Sequence, residues 1–255
     1  MSLRLFGKQV SAGLIGSVRN YHSFYHVNPP ILDMSTVENQ VLGKAYEEYV
    51  PELGFTKEAV ENASYAIGLN DNSANALLNF TSSSKNLEME LILFHLKKCR
   101  QELENLRKTE TFQNKLKDMT ETDRLRYLIN KRLAMNQPIL KFLPSALGHM
   151  ILPSNLAKSL AELHNLSDDI TYYAGDRSTD FKWYSKRFSI SGLFIQSELF
   201  MLTDTTKDLS DTSKFVDSRL QEIDTAGYVY TSVEEWLFFN AVSTVNIVKS
   251  QLARG

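Results

Sequence analysis

The chain has 255 residues, of which 43% are hydrophobic and 23% charged, and its formal net charge is −2. This length and composition suit one or two globular domains with a buried core. A single cysteine, Cys99, excludes an intrachain disulfide. Residues 1–32 hold three basic and no acidic residues, so 25 basic side chains face 30 acidic ones in the rest. That balance disfavours contact with nucleic-acid phosphates.

The first predicted element is a mitochondrial transit peptide over residues 1–25. This segment carries Arg4, Lys8 and Arg19, several serines and interspersed apolar residues, but no acid. Such a basic, amphipathic composition is typical of transit peptides, and the apolar stretches are too short for a secretory signal. The alternative is a tail of this composition by chance.

Residues 35–80 predict three short helices ahead of a longer one. The segments LGFT, AIGL and NF in this region resemble the DNA-binding head of tetracycline-repressor-type regulators, with Gly68 ending the second helix in a left-handed conformation. The third helix, 72–80, has no Lys or Arg, and Lys57 is the one basic residue between 52 and 84. A helix without cations gains nothing from phosphate contacts. We therefore expect a degenerate helix-turn-helix head that serves as a structural module and binds no nucleic acid.

Helical periodicity dominates the rest of the chain, and strand-like alternation is not sustained anywhere. One apolar stripe predicts a long helix over about 86–108, and its members are Ile92, Leu96, Cys99, Leu103 and Leu106. A second predicted stripe comprises Leu156, Leu160, Leu163, Leu166 and Ile170. The polar stretch 109–119 reads as a loop. The sequence thus predicts an all-α bundle of about ten helices, with one domain over 35–227.

Motifs for catalysis are missing from the sequence. None of the five histidines follows a glutamate at the spacing of helical metal hydroxylases, and no other metal-ligand spacing occurs. A glycine-rich phosphate loop and a serine-hydrolase elbow are also absent. We therefore expect no catalytic residues, no metal and no cofactor, although missing motifs do not exclude an enzyme.

The segment TYYAGDRSTDFKWYSKR, residues 171–187, predicts a helix–helix corner closed by Gly175. On a helical wheel, the helix before the corner directs four residues inward: Leu163, Leu166, Ile170 and Tyr173. It directs Asn165, Asp168 and Tyr172 outward, with Asp169 at the border. The predicted inward stripe of the following helix comprises Phe181, Tyr184, Phe188, Ile195 and Leu199. Trp183 then lies opposite that stripe, between Lys186 and Arg187.

An outward tryptophan with basic neighbours and nearby aspartates has the composition of a protein-binding hot spot. The alternative is that another helix of the same chain covers Trp183. The same helix has a second apolar line through Leu193, Phe194 and Met201. A helix that is apolar on two sides is either central in the fold or borders a cavity, which could be large enough for a lipid.

Residues 228–255 predict an amphipathic helix that begins at a capping box, Ser232 to Glu235. Its uncharged run from Trp236 to Val248 has 13 residues, which is too short to cross a bilayer but suits a helix lying at the membrane interface. The residues predicted to contact the membrane are Trp236, Leu237, Phe238, Phe239, Val242, Val245 and Val248. A dimerisation helix or a core helix is the alternative.

Three segments together point to one family: LSDDITYYAGDRSTDFKWYSKR (166–187), ILPSN (151–155) and STVNIVKSQLARG (243–255). From about Val41 to its end the chain resembles the mitochondrial lipid-binding accessory proteins of ubiquinone (coenzyme Q) biosynthesis, fungal branch. The resemblance implies a repressor-like fold without DNA binding, a homodimer, and a pocket for an isoprenoid lipid or quinone intermediate. It also implies a peripheral position on the matrix side of the mitochondrial inner membrane.

The resemblance further implies docking on the demethoxyubiquinone hydroxylase and contact with other proteins of the pathway. The positions that match the family's docking patch are Asp168, Asp169, Tyr173, Asp176, Trp183, Tyr184 and Arg187. The residues that line the lipid pocket are not indicated. Two other functions stay open at this point: a lipid-sensing DNA-binding regulator, and an enzyme that modifies ring substituents of the quinone precursor.

Overall fold

The computed structural model describes residues 31–69, 86–178 and 181–226, and in these ranges the secondary structure is helical throughout. A π-helical turn, Ala45–Tyr49, joins the first two α-helices, and a 3-10 helix, Gln137–Phe142, precedes the seventh. The α-helices in chain order are α1 Val37–Lys44, α2 Val50–Leu53, α3 Lys57–Ala66, α4 Leu87–Lys108, α5 Glu110–Lys117, α6 Glu121–Ala134, α7 Leu143–Met150, α8 Leu156–Tyr173, α9 Phe181–Met201 and α10 Ser210–Ala226. The prediction of an all-α bundle is confirmed.

The head of the bundle consists of α1 to α3 packed on α4. Side-chain oxygens of Thr36 and Thr56 accept hydrogen bonds from the first turns of α1 and α3, which fixes where these helices begin. Gly68 follows α3 with φ of +86°, so the predicted left-handed end is confirmed. The predicted third head helix, 72–80, lies outside the described residues, as do the predicted transit peptide, 1–25, and the predicted helix, 228–255.

Helix α4 is the central element, and its predicted stripe is confirmed because Ile92, Cys99 and Leu103 are buried. The side chain of Asn86 accepts a hydrogen bond from the Met89 backbone N–H and caps its start. The stripe predicted for α8 is wrong at Leu160, which is 52% exposed. At that end of α8 the buried face carries Ser159 instead, whose hydroxyl donates to the Met150 carbonyl at 2.9 Å.

The polar stretch 109–119 forms helix α5, so the prediction of a loop there was wrong. Phe112 and Leu116 are the cause, since they stand four residues apart on one helix face and both are buried. Two apolar residues at this spacing are enough to hold a short helix on the core, even though its other positions are polar.

A buried polar network crosses the core where α4, α6 and α9 meet. Asn136 connects its members, because Oδ1 lies 3.0 Å from His95 Nε2 and Nδ2 donates to Glu198 at 2.7 Å. Arg132 also donates to Asn136 Oδ1, at 2.7 Å. An amide oxygen only accepts, so the His95 Nε2 that faces Asn136 Oδ1 carries a proton. His95 Nδ1 lies 3.0 Å from the Tyr46 hydroxyl and accepts a hydrogen bond from it when the ring is neutral.

Burial and the nearby Arg132 lower the pKa of His95 to about 3, although the hydrogen bond to Asn136 opposes this shift. The pKa of Glu198 is raised because its carboxyl is buried, which Arg132 and Asn136 partly offset. Acidification therefore changes the stability of the folded state in opposite directions through these two groups. The neutral His95 stabilises the fold at higher pH, whereas the buried Glu198 carboxyl destabilises it less once it is protonated.

In the variant His95→Gln, the free energy of unfolding is expected to depend less on pH below about pH 6 than it does in the parent protein. Because the folded-state pKa lies below the unfolded value near 6.5, unfolded chains bind a proton that folded chains do not, and stability falls as the pH drops through this window. Between pH 6 and pH 4 the parent protein should lose about 2.5 kcal/mol more than the variant. Urea denaturation at both pH values measures this difference, in which the Glu198 contribution cancels. Parallel profiles for the two proteins would contradict the neutral buried histidine.

Candidate functional site

The corner between α8 and α9 closes with a Schellman motif. The backbone N–H of Asp176 donates to the Thr171 carbonyl at 3.1 Å, and that of Gly175 donates to the Tyr172 carbonyl at 3.0 Å. Gly175 has φ of +96°, as the sequence predicts for a residue that must adopt the left-handed conformation. The chain therefore leaves α8 at a fixed angle and returns as α9, which packs against α8.

Trp183 faces the inside of the bundle, so the prediction that it points outward was wrong. Its exposed fraction is 7%, and its ring makes an edge-to-face contact with His164 at a centroid distance of 6.1 Å. The buried face of α9 continues along the line predicted as secondary, and its members are Trp183, Arg187, Ile190, Leu193, Phe194, Ser197 and Met201. The alternative that the chain itself covers Trp183 is the one observed.

The stripe predicted to point inward is the open face of α9 within this chain. Tyr184 is 62% exposed and Leu199 is 52% exposed, while Phe188 and Ile195 are half-buried. The inward direction of Phe181 stays a prediction, because the structure describes the backbone of this residue but not its side chain. The helix is thus apolar on both sides, and the side that the chain leaves open is the one that the wheel assigned to the core.

Buried ion pairs hold the corner together. Arg187 Nε pairs with Asp168 Oδ1, and Arg187 Nη1 lies 2.9 Å from Asp176 Oδ2. Lys186 Nζ lies 3.0 Å from the other oxygen of Asp176 and also pairs with Glu121. The three sequence-predicted residues Asp168, Asp176 and Arg187 are therefore brought together, but in the interior. The outward direction predicted for Asp168 was wrong, because this carboxylate is directed to Arg187.

The same arginine also connects the ions to the aromatic residues. The Arg187 guanidinium lies 4.0 Å from the Trp183 ring centroid, within the range of a cation–π contact. Burial opposes ionisation of Asp176, but hydrogen bonds from Lys186, Ser178 and Arg187 outweigh it and hold the pKa of Asp176 below its usual range. The corner is therefore a charged, ordered interior rather than a solvated surface.

Asp169 belongs to a second ion cluster. Its carboxylate accepts from Arg100 Nε of α4 at 2.7 Å, and Arg100 also binds Glu162 at 2.9 Å. Burial disfavours the charged form of Arg100, but the two carboxylates outweigh it and raise the pKa of its guanidinium. Adjacent residues of a helix point about 100° apart, which explains why Asp168 and Asp169 meet different arginines.

Tyr173 is buried on the inward face, as predicted, and Arg107 lies over its ring at 5.0 Å. Of the seven residues predicted as a docking patch, Tyr184 is therefore the one that is exposed, and the other six are buried. Sequence reasoning missed Arg100 and Glu121 as ion-pair partners, and it placed Lys186 on the outward face beside Trp183. The sequence carries no local signal for these pairs, because Arg100 stands 69 residues before Asp169 and Glu121 stands 65 residues before Lys186.

The seven residues predicted to bind membrane, Trp236 to Val248, lie outside the described residues, and their role stays a prediction. Within the described ranges, the helices lack any stretch long and apolar enough to cross a membrane. Those ranges also contain no group of three or more His, Cys, Asp or Glu residues placed to hold a metal ion.

The helical arrangement places the protein in the tetracycline-repressor fold class. A TetR transcriptional regulator from Nitrosomonas europaea superimposes with a TM-score of 0.53 at 13% identity, covering 72% of this chain and 96% of that chain. At this identity the likeness concerns the fold alone.

Sequence relatives define the family. The chain is 31% identical to the mitochondrial ubiquinone biosynthesis protein COQ9 of Saccharomyces cerevisiae, over 90% of this chain and 89% of that protein. It is 36% identical to the Schizosaccharomyces pombe coq9 protein, over 91% and 87%, and 31% identical to the human COQ9 protein, over 78% and 61%. A profile of the COQ9 family matches residues 156–227, which include the corner. The chain belongs to the COQ9 family.

Proposed function

We propose that this protein acts in ubiquinone biosynthesis as a membrane-associated lipid-binding protein, on the matrix side of the mitochondrial inner membrane. In this role it binds isoprenoid quinone intermediates and presents them to the demethoxyubiquinone hydroxylase, without catalysing a reaction itself. Support comes from relatives that are named as mitochondrial ubiquinone biosynthesis proteins and that match most of this chain. Such a presenting protein answers a physical problem, since the isoprenoid tail is strongly retained by the bilayer.

The observation that carries the docking part of the proposal is the exposure of Tyr184 on a rigid corner. A large aromatic side chain that is 62% exposed suits the centre of a protein interface. Trp183 packs against Tyr184 at a centroid distance of 4.8 Å and is itself fixed by Arg187. The ring of Tyr184 is therefore oriented before a partner arrives, which lowers the entropy lost on binding.

The remaining apolar positions on the open face of α9 support a homodimer in the same proposal. Ile195 and Leu199 lie about three and four turns beyond Tyr184, and Leu199 is 52% exposed. A second copy of the chain that covers this end of α9 would remove these side chains from water and leave the Tyr184 end for the hydroxylase.

The variant Tyr184→Ala is expected to weaken hydroxylase binding by about thirtyfold or more, the usual effect of truncating a central aromatic anchor. Its stability should change little, because the side chain is mostly exposed and no cavity opens. Titration of the hydroxylase against both proteins, with thermal denaturation of each, measures the two effects. Leu160→Ala is the matched control, since Leu160 is a 52% exposed apolar residue on α8, and it should bind like the parent. Unchanged binding by Tyr184→Ala would remove this residue from the interface.

Lipid binding is tested by native mass spectrometry of the chain purified from a source that makes ubiquinone. The expected result is a co-purified isoprenoid quinone or quinone precursor that solvent extraction releases. A protein that carries no isoprenoid, and takes none up from mixed micelles, would contradict the lipid-binding part while leaving the docking experiment unaffected.

A further inference from the structure

A cavity of about 630 Å³ lies beside the corner, where Gly175, Asp176 and Arg177 line it, and Trp183 is not part of its lining. It is bounded by the end of α4, by α5 and by the end of α8, and its volume is that of a small-molecule site. Five basic residues line it: Arg107, Lys108, Lys117, Arg124 and Arg177. Such a concentration of positive charge is unusual in a chain whose net charge is −2.

Two of these cations are already engaged with the protein. Arg124 donates to the Leu116 carbonyl at 2.9 Å and to the Ala174 carbonyl at 3.4 Å, so it caps the ends of α5 and α8. Lys108 pairs with Glu104 at 3.0 Å. Both nevertheless keep their positive charge at the wall of the cavity.

The other three cations have no acidic partner among the described residues. Lys117 and Arg177 are exposed at the rim, and Arg107 is half-buried. Among the described residues that line the cavity, Asp176 is the one acidic residue, and its carboxylate is bound by Lys186 and Arg187. The cavity therefore presents uncompensated positive charge from three different elements, which favours a multiply charged anion.

The rest of the lining is aromatic and apolar. Arg107 lies 5.5 Å from the Tyr172 ring centroid and 5.0 Å from that of Tyr173, so both rings border the charged group. Phe112 and Leu116 border the cavity from α5, where 3% and 7% of their surfaces stay exposed. A ligand that fits both parts needs an anionic group joined to an aromatic or apolar body.

We propose that this cavity binds a phosphate ester, with the phosphate between Arg107, Lys117 and Arg177 and the esterified body against Phe112 and Tyr172. Arginine and lysine together are the usual phosphate ligands, and tyrosine and phenylalanine accept either a planar ring or a short acyl group. A phospholipid head group and a soluble nucleotide share this chemistry. The site is separate from the exposed face of α9 and does not depend on hydroxylase docking.

The test is isothermal titration of the full chain at low ionic strength with two probes: adenosine monophosphate and monomeric dihexanoyl phosphatidate. The parent protein should bind at least one of them more tightly than about 1 mM. Lys117→Glu with Arg177→Glu should weaken that binding at least about tenfold, since both substitutions replace a phosphate donor with a repelling carboxylate. Preference for the nucleotide or for the phosphatidate identifies the source of the ligand.

The matched control is Lys141→Glu with Lys207→Glu, two exposed lysines outside the cavity that give the same change in net charge. It should bind within about twofold of the parent, because remote surface charges are screened. Equal weakening in the control, or a parent protein that binds neither probe, would overturn the proposal. If the variant Lys117→Glu with Arg177→Glu has a lowered melting temperature, Lys117→Gln with Arg177→Gln gives the same comparison. Tyr184→Ala should keep the affinity of the parent, which separates this site from the docking surface.

Discussion

Replacing Arg187 with alanine is expected to lower the free energy of unfolding by about 3–5 kcal/mol, the usual cost of breaking a buried ion pair by removing one partner. The Arg187 side chain is 2% exposed and binds both Asp168 and Asp176. The variant therefore removes the cation that these two buried carboxylates share. It also removes the cation–π contact to Trp183. Urea denaturation at neutral pH measures the loss.

The matched control for this prediction is Arg219→Ala. Arg219 also pairs with a carboxylate, that of Glu222 at 2.5 Å, but its side chain is 42% exposed. An exposed pair of this kind contributes less than about 1 kcal/mol, so the control should denature almost like the parent. A loss of less than about 1 kcal/mol in Arg187→Ala would mean that the buried ion cluster gives no net stability.

The cost of Arg187→Ala should also shrink in acid. Since the pKa of Asp176 is held below its usual range in the folded state, its ionised form stabilises the fold at neutral pH. That contribution is lost as the pH falls through the folded-state pKa, where the carboxylate is protonated and no longer pairs with Arg187. The parent and the variant should therefore converge at the acidic end of the profile.

Trp183→Ala is expected to cost about 3–5 kcal/mol, the range for truncating a large buried aromatic residue. The side chain is 7% exposed and touches His164, Tyr184 and Arg187, so its removal leaves a cavity between α8 and α9. Trp183→Phe should cost much less, about 1–2 kcal/mol, because it keeps a ring in place. It also removes an indole N–H that is buried and has no acceptor among the described residues.

Thermal and urea denaturation of both Trp183 variants decide this prediction. A Trp183→Ala variant as stable as the parent protein would place the indole at the surface, as the helical wheel predicts. The practical consequence concerns binding studies, since a Trp183 variant that fails to bind the hydroxylase could simply be unfolded. Tyr184→Ala avoids this ambiguity, because its side chain lies outside the core.

The sequence allowed the class of fold, the long helix α4 and the corner at Gly175 to be predicted. These features depend on local rules: an apolar period along one helix, and a backbone conformation that glycine adopts at low cost. The resemblance to the family completed the set of predicted docking positions, and the structure brings Asp168, Asp176 and Arg187 into one cluster.

The orientation of α9 could not be predicted, for a physical reason. Both sides of the helix are apolar, and the side with Lys186 and Arg187 looks solvated when the helix is considered alone. The carboxylates that neutralise these cations stand 10 to 19 residues earlier in the chain, and Glu121 stands 65 residues earlier. A buried charge is recognisable only with its partners, and tertiary packing supplies them.

The two consecutive aspartates of α8 have a mechanical consequence. Asp168 is bound by an arginine of α9 and Asp169 by an arginine of α4, so neighbouring residues tie one helix to two others. A rotation of α8 about its axis by the 100° that separates adjacent residues would break at least one of these two ion pairs. The two aspartates therefore oppose rotation of α8 against both α4 and α9.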